Sequence, residues 1–402
     1  MISYDKKLQP IFDKLISHNI KPIIVGGFVR DSLLGIKSKD IDIELYNLEN
    51  YEQLQKILQK FGSINSVGKS FGVCKLSLDT LELDFSFPRT DSKVTSGHKG
   101  FNIQTYSQID FKTASTRRDF TINAMGFDVK KKKLLDPFNG ANDLQNRILR
   151  VVDRVKFAED PLRILRAMQF CARFNLKVDN ELLNICSNMI NTHLLEQLPK
   201  ERIFLEFQKL LTQARKPSIG INFLKNIDAF SYFSELKNTP YYTQKLNALD
   251  KIKSDKLHIK LSLLCYDLTE KDIINFLNKL TQDKILIKKT LLLHKYKDIF
   301  LNTSIISNYN IYKVAEYVNI EEVLLVHSAM NDKSIYKKIQ LQAISLGVYK
   351  QKLVALIEGK DLITLGFKPS PKFSIILQKC YEAQMKGKFN TKEEGINWLR
   401  KL

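Results

Sequence analysis

Apolar and polar positions fall into two regimes along the chain. In the first, short runs and alternations mark strands. Residues 21–25 (KPIIV) are an apolar run closed by Gly26 and Gly27, the pattern of a buried strand entering a tight turn. Residues 28–34 have helical spacing and stop at Gly35. Residues 40–45 (DIDIEL) alternate strictly, which predicts a strand. Residues 73–78 and 81–87 predict a hairpin around Asp79 and Thr80. Residues 125–129 and 134–135 predict another, with Lys130 to Lys133 as its solvated tip. From Phe157 onward the spacing turns helical, as in residues 182–189, 203–211 and 273–280, and strand signals nearly vanish. Thr391 and Glu394 have the spacing of a capping box that opens a last helix through Trp398. The pattern predicts a small α+β head on a mostly helical remainder, with the boundary near residues 130–150.

Composition adds the partner. The 402 residues carry a formal net charge of +20, with 44% hydrophobic and 26% charged residues. That balance suits a globular protein that meets a polyanion, a nucleic acid above all, or one with a lysine-rich solvated surface. No apolar run reaches 18 residues and residues 1–14 lack a secretory core, so neither a membrane span nor a signal is expected. Cys74, Cys171, Cys186, Cys265 and Cys380 are scattered, with no CxxC pair. This fits a reducing cytoplasm and predicts neither a disulfide framework nor a zinc site.

The densest chemistry lies in GGFVRDSLLG-x4-DID, residues 26–42. A glycine pair after a strand lets main-chain amides approach phosphates, and the following helix N-terminus favours anions. Arg30, one turn in, is placed to reach a phosphate bidentately. Asp40 and Asp42, two apart on a strand, face the same side and would repel without a cation between them. Hard ions such as Mg²⁺ take such oxygen ligands and share them with substrate phosphates. Asp84, on the strand predicted at 81–87, is either a third catalytic carboxylate or a solvated acid opposite Lys75.

These residues, followed by Arg117-Arg118-Asp119-Phe120-Thr121-Ile122-Asn123-Ala124-Met125 and by Glu159-Asp160-Pro161-Leu162-Arg163-Ile164-Leu165-Arg166, resemble the class II tRNA nucleotidyltransferases (CCA-adding enzymes). Bacterial poly(A) polymerases share the same set. The ordered motifs cover roughly residues 21–211. The resemblance implies a polymerase-β-like head at 1–135, a neck with a nucleotide-selecting helix at 136–215, a helical body at 216–350 and a helical tail at 351–402. It implies that Asp40 and Asp42 hold Mg²⁺ and are catalytic, with Asp84 as their third partner. Gly26, Gly27, Arg30, Arg117, Arg118, Asp119 and Asn123 would bind the triphosphate and sugar. Asp160, Arg163 and Arg166 would choose the base. The implied reaction adds C, C and A to a tRNA 3′ end from CTP and ATP without a nucleic-acid template. An A-adding enzyme, a poly(A) polymerase and a non-catalytic RNA-binding protein are the alternatives.

Smaller matches complete the picture. Gln169 stands where members often have arginine. Residues 89–104 resemble the flexible loop of CCA- and A-adding members and are expected to be mobile, with His98 no metal ligand. Residues 136–150 resemble the hinge between head and neck, and residues 201–211 the neck helix, for which a structural role is expected. Residues 261–268 resemble a degenerate HD-phosphohydrolase segment. The chain has six histidines and no His-Asp dipeptide, so no such phosphatase activity is expected. Residues 359–398 resemble the family's C-terminal region.

Overall fold

The computed structural model describes residues 2–65, 73–78, 81–93, 101–105, 109–237, 239–301, 306–331 and 334–401. They form two compact units, Met1–Lys237 and Asn238–Leu402.

The first unit opens with α1 (Gln9–Ser17), β1 (Lys21–Val25), α2 (Gly27–Leu33), β2 (Asp40–Tyr46) and α3 (Tyr51–Leu58). Strands β3 (Ser63–Asn65), β4 (Val73–Leu78) and β5 (Leu81–Ser86) follow. A separate antiparallel pair, β6 (Arg89–Lys93) and β7 (Phe101–Thr105), leads to α4 (Phe111–Ser115), β8 (Gly126–Asp128) and β9 (Lys133–Leu135). The described strands of the main sheet run β3-β4-β5-β2-β1-β8-β9. Strands β2 and β5 are parallel, and the other neighbours are antiparallel. Strand β1 lies inside the sheet between β2 and β8; α1 and α2 pack against it, and Ile23 and Val25 pack with Phe111 and Ala114 of α4, so Ile23, Ile24 and Val25 are all buried and the strand reads as an unbroken apolar run. Both predicted hairpins form: β4 pairs with β5, and β8 with β9. Residues 79–80 lie outside the described residues, and Lys130 to Lys133 are exposed at their tip.

The reading of residues 89–104 as a loop is corrected at both ends, where β6 and β7 form a five-pair ladder. RTDSK has no apolar residue and so left no pattern to read, whereas FNIQT does alternate, at Phe101 and Ile103, over too few residues to stand out beside its polar partner. Residues 94–100, including His98, lie outside the described residues.

Helices α5 (Gly140–Gln145), α6 (Arg154–Ala158), α7 (Leu162–Phe174), α8 (Asn180–Asn191), α9 (Lys200–Gln213) and α10 (Pro217–Asn226) complete the unit. Two short parallel strands, β10 (Ile148–Leu149) and β11 (Lys177–Val178), lie among them. Helix α7 is amphipathic with ten buried residues and packs against α9 and α10. A Cβ at Gly220 of α10 would lie 2.7 Å from the Met168 carbonyl, so glycine permits that close approach. Phe120 touches the rings of Phe157 and Phe170 at 5.7 and 5.6 Å. These three aromatics tie the loop before β8 to α6 and α7.

The second unit is helical throughout its described residues: α11 (Tyr242–Lys251), α12 (Leu257–Leu264), α13 (Glu270–Leu280), α14 (Lys284–Tyr296), α15 (Asn308–Tyr317), α16 (Ile320–Met330), α17 (Ser334–Ser345), α18 (Gly359–Thr364), α19 (Lys372–Met385) and α20 (Lys392–Leu399). The capping box of α20 forms as expected: Thr391 Oγ1 accepts from Glu394 N, and the Glu394 carboxylate accepts from Thr391 N. Just after α12, Asp267 accepts from Lys245 Nζ at 2.7 Å, both side chains almost wholly buried. All five cysteines are buried and form no disulfide, and no helix of the described residues is long and apolar enough to cross a membrane.

Candidate active site

The expected residues gather where β1 ends and β2 begins, beside α7. Gly26 closes β1 with φ +67°, a backbone that side chains disfavour. A Cβ there would lie 2.8 Å from Arg118 Nη1, so the glycine also makes room for that guanidinium. The register pairs Val25 with Asp42, which brings the glycine turn beside the carboxylates.

On β2, Asp40 and Asp42 are exposed while Ile41 and Ile43 are buried. The parallel register sets Asp42 opposite Asp84 and Asp40 opposite Glu82. Exposed at the surface, the Asp42 carboxyl is still crowded by surrounding protein that partly strips its water and pushes it above the ordinary carboxylate range; Arg118 works against this, and Asp84, Asp40 and Glu44 add to it. Asp84 also pairs with Lys75 at 3.0 Å, so both readings of it have a structural basis.

Glu44, next but one on the same face, is 1% exposed, and its position was not anticipated. Its Oε1 accepts from Arg117 Nη2 at 3.0 Å and from Arg118 Nη2 at 2.9 Å. Its Oε2 accepts from the Tyr46 hydroxyl at 3.0 Å. Burial alone would raise the Glu44 carboxyl, but Arg118 and then Arg117 outweigh it and hold it low. The signal for Glu44 was present in the alternation of Asp40, Asp42 and Glu44.

A chain of bonds runs behind the cavity. Arg30, buried, donates from Nε to Asp31 Oδ1 at 2.8 Å and from Nη1 to Asn123 Oδ1 at 2.6 Å. Its guanidinium lies over Phe174 at 4.5 Å and Phe170 at 5.2 Å. Asn123 Nδ2 donates to Asp119 Oδ1, and Arg166 Nε donates to Asp119 Oδ2 at 2.6 Å. Burial pushes the Asp119 carboxyl up, yet Arg166 and Asn123 keep it below its ordinary value.

Asp160 lies just before α7 and accepts from Leu162 N at 3.1 Å. Arg163 donates to two main-chain carbonyls, Lys156 O and Arg117 O, each at 2.7 Å. Gln169 is buried, and its Nε2 finds no hydrogen-bond partner among the described residues.

A cavity of about 380 Å³ collects most of the set. It is lined by Gly26, Gly27, Arg30, Asp42, Arg118, Asp119, Asn123, Asp160, Arg163 and Arg166, with Leu162, Phe170 and Arg202. Asp40, Asp84 and Arg117 lie outside its lining. Arg202 of α9 is the lining residue whose neck-helix segment was expected to be purely structural. Five arginines against three aspartates give the cavity a positive excess suited to a triphosphate.

A mixed sheet with paired aspartates at a glycine turn is followed by an arginine-rich helical face. Residues 23–150 match the family described as the poly A polymerase head domain. Over 213 residues the chain is 35% identical to the CCA-adding enzyme of Francisella tularensis subsp. tularensis (strain FSC 198). The match covers 52% of this chain and 56% of that enzyme, so it spans about half the relative's length. The fold resembles the Bacillus stearothermophilus CCA-adding enzyme in complex with CTP, with TM-score 0.77, 21% identity and 99% and 98% of the two chains covered. It also resembles the Thermotoga maritima CCA-adding enzyme complexed with tRNA, with TM-score 0.71, 23% identity and 99% and 96% covered. The resemblance read from the motifs and the α+β head with a helical remainder are borne out.

Proposed function

We propose that this chain is a CCA-adding tRNA nucleotidyltransferase, which extends a tRNA 3′ end with C, C and A from CTP and ATP. The observation that carries this reading is the single cavity that joins the glycine turn and Asp42 to Asp160, Arg163 and Arg166. We divide the chain into head (1–135), neck (136–215), body (216–350) and tail (351–402), and place its work in the cytoplasm.

In the reaction the 3′-hydroxyl of the tRNA attacks the α-phosphorus of the bound nucleotide. The new P–O bond forms as the bond to the β-phosphate oxygen breaks, and pyrophosphate leaves. Asp40 and Asp42 offer the oxygen donors that a hard divalent cation takes, and the crowding of Asp42 by Asp84 and Asp40 favours such an ion. Among the described residues no three acidic, His or Cys side chains close a metal cage, which fits a site completed by substrate phosphates. Mg²⁺ held there would lower the pKa of the attacking hydroxyl and neutralise charge on the leaving group.

The protein's own groups bind and choose. The main chain at Gly26 and Gly27 and the Arg118 guanidinium face the phosphates. Arg30, tied to Asp31 and Asn123, supplies a fixed positive charge behind them. Asp119, with Asn123, faces the sugar and orients Arg166. Asp160 would accept from the exocyclic amine of cytosine or adenine, and Arg163 and Arg166 would donate to the ring acceptors beside it. Uracil and guanine place a carbonyl oxygen there and leave buried polar groups unpaired.

The test is a tRNA transcript that ends before CCA, incubated with protein, Mg²⁺ and single or mixed nucleotides. Two additions with CTP, and a third only when ATP joins, support the proposal. One adenosine on a tRNA already ending in CC, without CTP use, indicates an A-adding enzyme; long adenosine tails indicate a poly(A) polymerase. No incorporation at all indicates a non-catalytic RNA-binding protein. Asp40→Ala with Asp42→Ala should abolish incorporation and leave tRNA binding, and surviving incorporation would refute the metal assignment.

A further inference from the structure

We infer that Glu44 is a positioning residue that holds the Arg117 and Arg118 guanidiniums side by side and so aims Arg118 at the nucleotide triphosphate. The inference rests on the nucleotidyltransferase reading above and adds a residue to it.

Two arginines adjacent in sequence place their Nη2 atoms on one carboxylate oxygen, at 3.0 and 2.9 Å. Two like charges at that separation repel, and the geometry stands only because an anion lies between them. The anion is itself fixed. Glu44 sits in the sheet interior with 1% exposure, and its other oxygen accepts from the Tyr46 hydroxyl two residues along the strand. The strand therefore sets the direction of Arg118, which lines the cavity with its Nη1 packed over Gly26.

Three acids on one face of β2 thereby divide their work. Asp40 and Asp42, exposed, are left for a cation, whereas Glu44, buried, is left for the arginines. Without Glu44, the cavity lining still offers Arg118 a carboxylate to seek, with Asp42 already under its electrostatic influence. Such a move would take the guanidinium off the phosphates.

The effect of such a residue is uniform across nucleotides. The triphosphate is common to CTP and ATP, while the base is read by Asp160, Arg163 and Arg166. Glu44→Gln keeps the side chain's size and one acceptor and removes the charge. We expect metal-free CTP and ATP binding, by equilibrium dialysis, to weaken by about tenfold each. KM for both should rise by that same factor, with kcat changed less and the preference for CTP over UTP unchanged. Glu44→Asp, which keeps the charge on a shorter arm, should fall between wild type and Glu44→Gln and serves if the amide fails to fold. In an Arg118→Met background, Glu44→Gln should have little further effect on affinity, because the two residues act as one unit.

Wild-type affinity in both Glu44 variants would make Glu44 an ordinary core residue and overturn the inference alone. A loss in kcat with KM and Kd unchanged would do the same, as would additive losses in the double variant. A wild-type protein that binds neither nucleotide would overturn the inference together with the reading beneath it.

Discussion

Asp119→Asn tests whether the network behind the cavity holds the site together. The carboxylate accepts from Phe120 N at 2.8 Å and Asn123 Nδ2 at 2.9 Å on one oxygen, and from Arg166 Nε at 2.6 Å on the other. An amide of the same shape has one acceptor and one donor. If its NH2 faces Arg166, two donors oppose each other and the ion pair is gone. If it faces the other way, Phe120 N–H and Asn123 lose their acceptor. A hydrogen bond to a charged group is worth about 1.5–3 kcal/mol, and an abandoned buried partner adds to the loss. The Arg166 side chain is 32% exposed, so water recovers part of it. We expect a net loss of about 2–3 kcal/mol. In urea unfolding followed by far-UV circular dichroism, this lowers the midpoint of the affected transition by about 1 M. The pH dependence follows from the same bonds. Burial raises the Asp119 carboxyl, but Arg166 and Asn123 hold it below its ordinary value. Its contribution is therefore present above the ordinary carboxylate range and fades as pH falls through the folded-state value. Asp119→Asn should remove that acid-side loss. A variant with an unchanged midpoint at pH 7 would refute the reasoning, because it would mean that the three bonds stabilise nothing.

Other perturbations act elsewhere. Gly26→Ala must adopt φ +67° and places its Cβ 2.8 Å from Arg118 Nη1; we expect roughly 1–2 kcal/mol of strain and weaker CTP binding by dialysis. Lys245→Met leaves Asp267 buried without its ammonium partner and should destabilise the second unit by about 3–5 kcal/mol, as read by fluorescence of Trp398, the chain's one tryptophan. Replacing Asp267 as well, by Leu, should recover much of that loss. Glu322, bonded to His258 at 2.9 Å and Lys256 at 2.8 Å, is held down at about 2 despite burial. Its stabilisation, roughly 2 kcal/mol after allowing for the exposed Lys256, is present above the ordinary glutamate range and fades as pH falls toward 2. Glu322→Gln should lack it at pH 7, as thermal melts at pH 7, 4 and 3 will show.

The legible parts of this protein were those that local pattern determines. β1 is apolar because helices pack against it, and the turn at Gly26 needs its positive φ, so both showed directly. Alternation placed Asp40 and Asp42 together, and helical spacing placed Arg163 and Arg166 beside Asp160, although α7 itself begins only at Leu162. Alternation gives a face and not a depth, however. Asp40, Asp42 and Glu44 share a face, yet the first two are exposed and the third is buried by arginines 73 and 74 residues away in sequence. No window along the chain contains that contact. The same limit applies to Arg163, whose two carbonyl partners come from α6 and from the Arg117 segment.

These tertiary partners explain how one cavity could choose bases with so many arginines in it. A mobile guanidinium accepts any acceptor that comes near, so loose arginines would bind the four nucleotides alike. Here the ones that matter are held before a ligand arrives: Arg118 by Glu44, Arg166 by Asp119, Arg30 by Asp31 and Asn123, and Arg163 by two main-chain carbonyls. Their donors point in set directions before any base is bound. On the proposed reading, a base that presents a carbonyl to Asp160 would not recruit them by rearrangement, and discrimination would depend on the stiffness of the acids and carbonyls behind the arginines as much as on the arginines themselves.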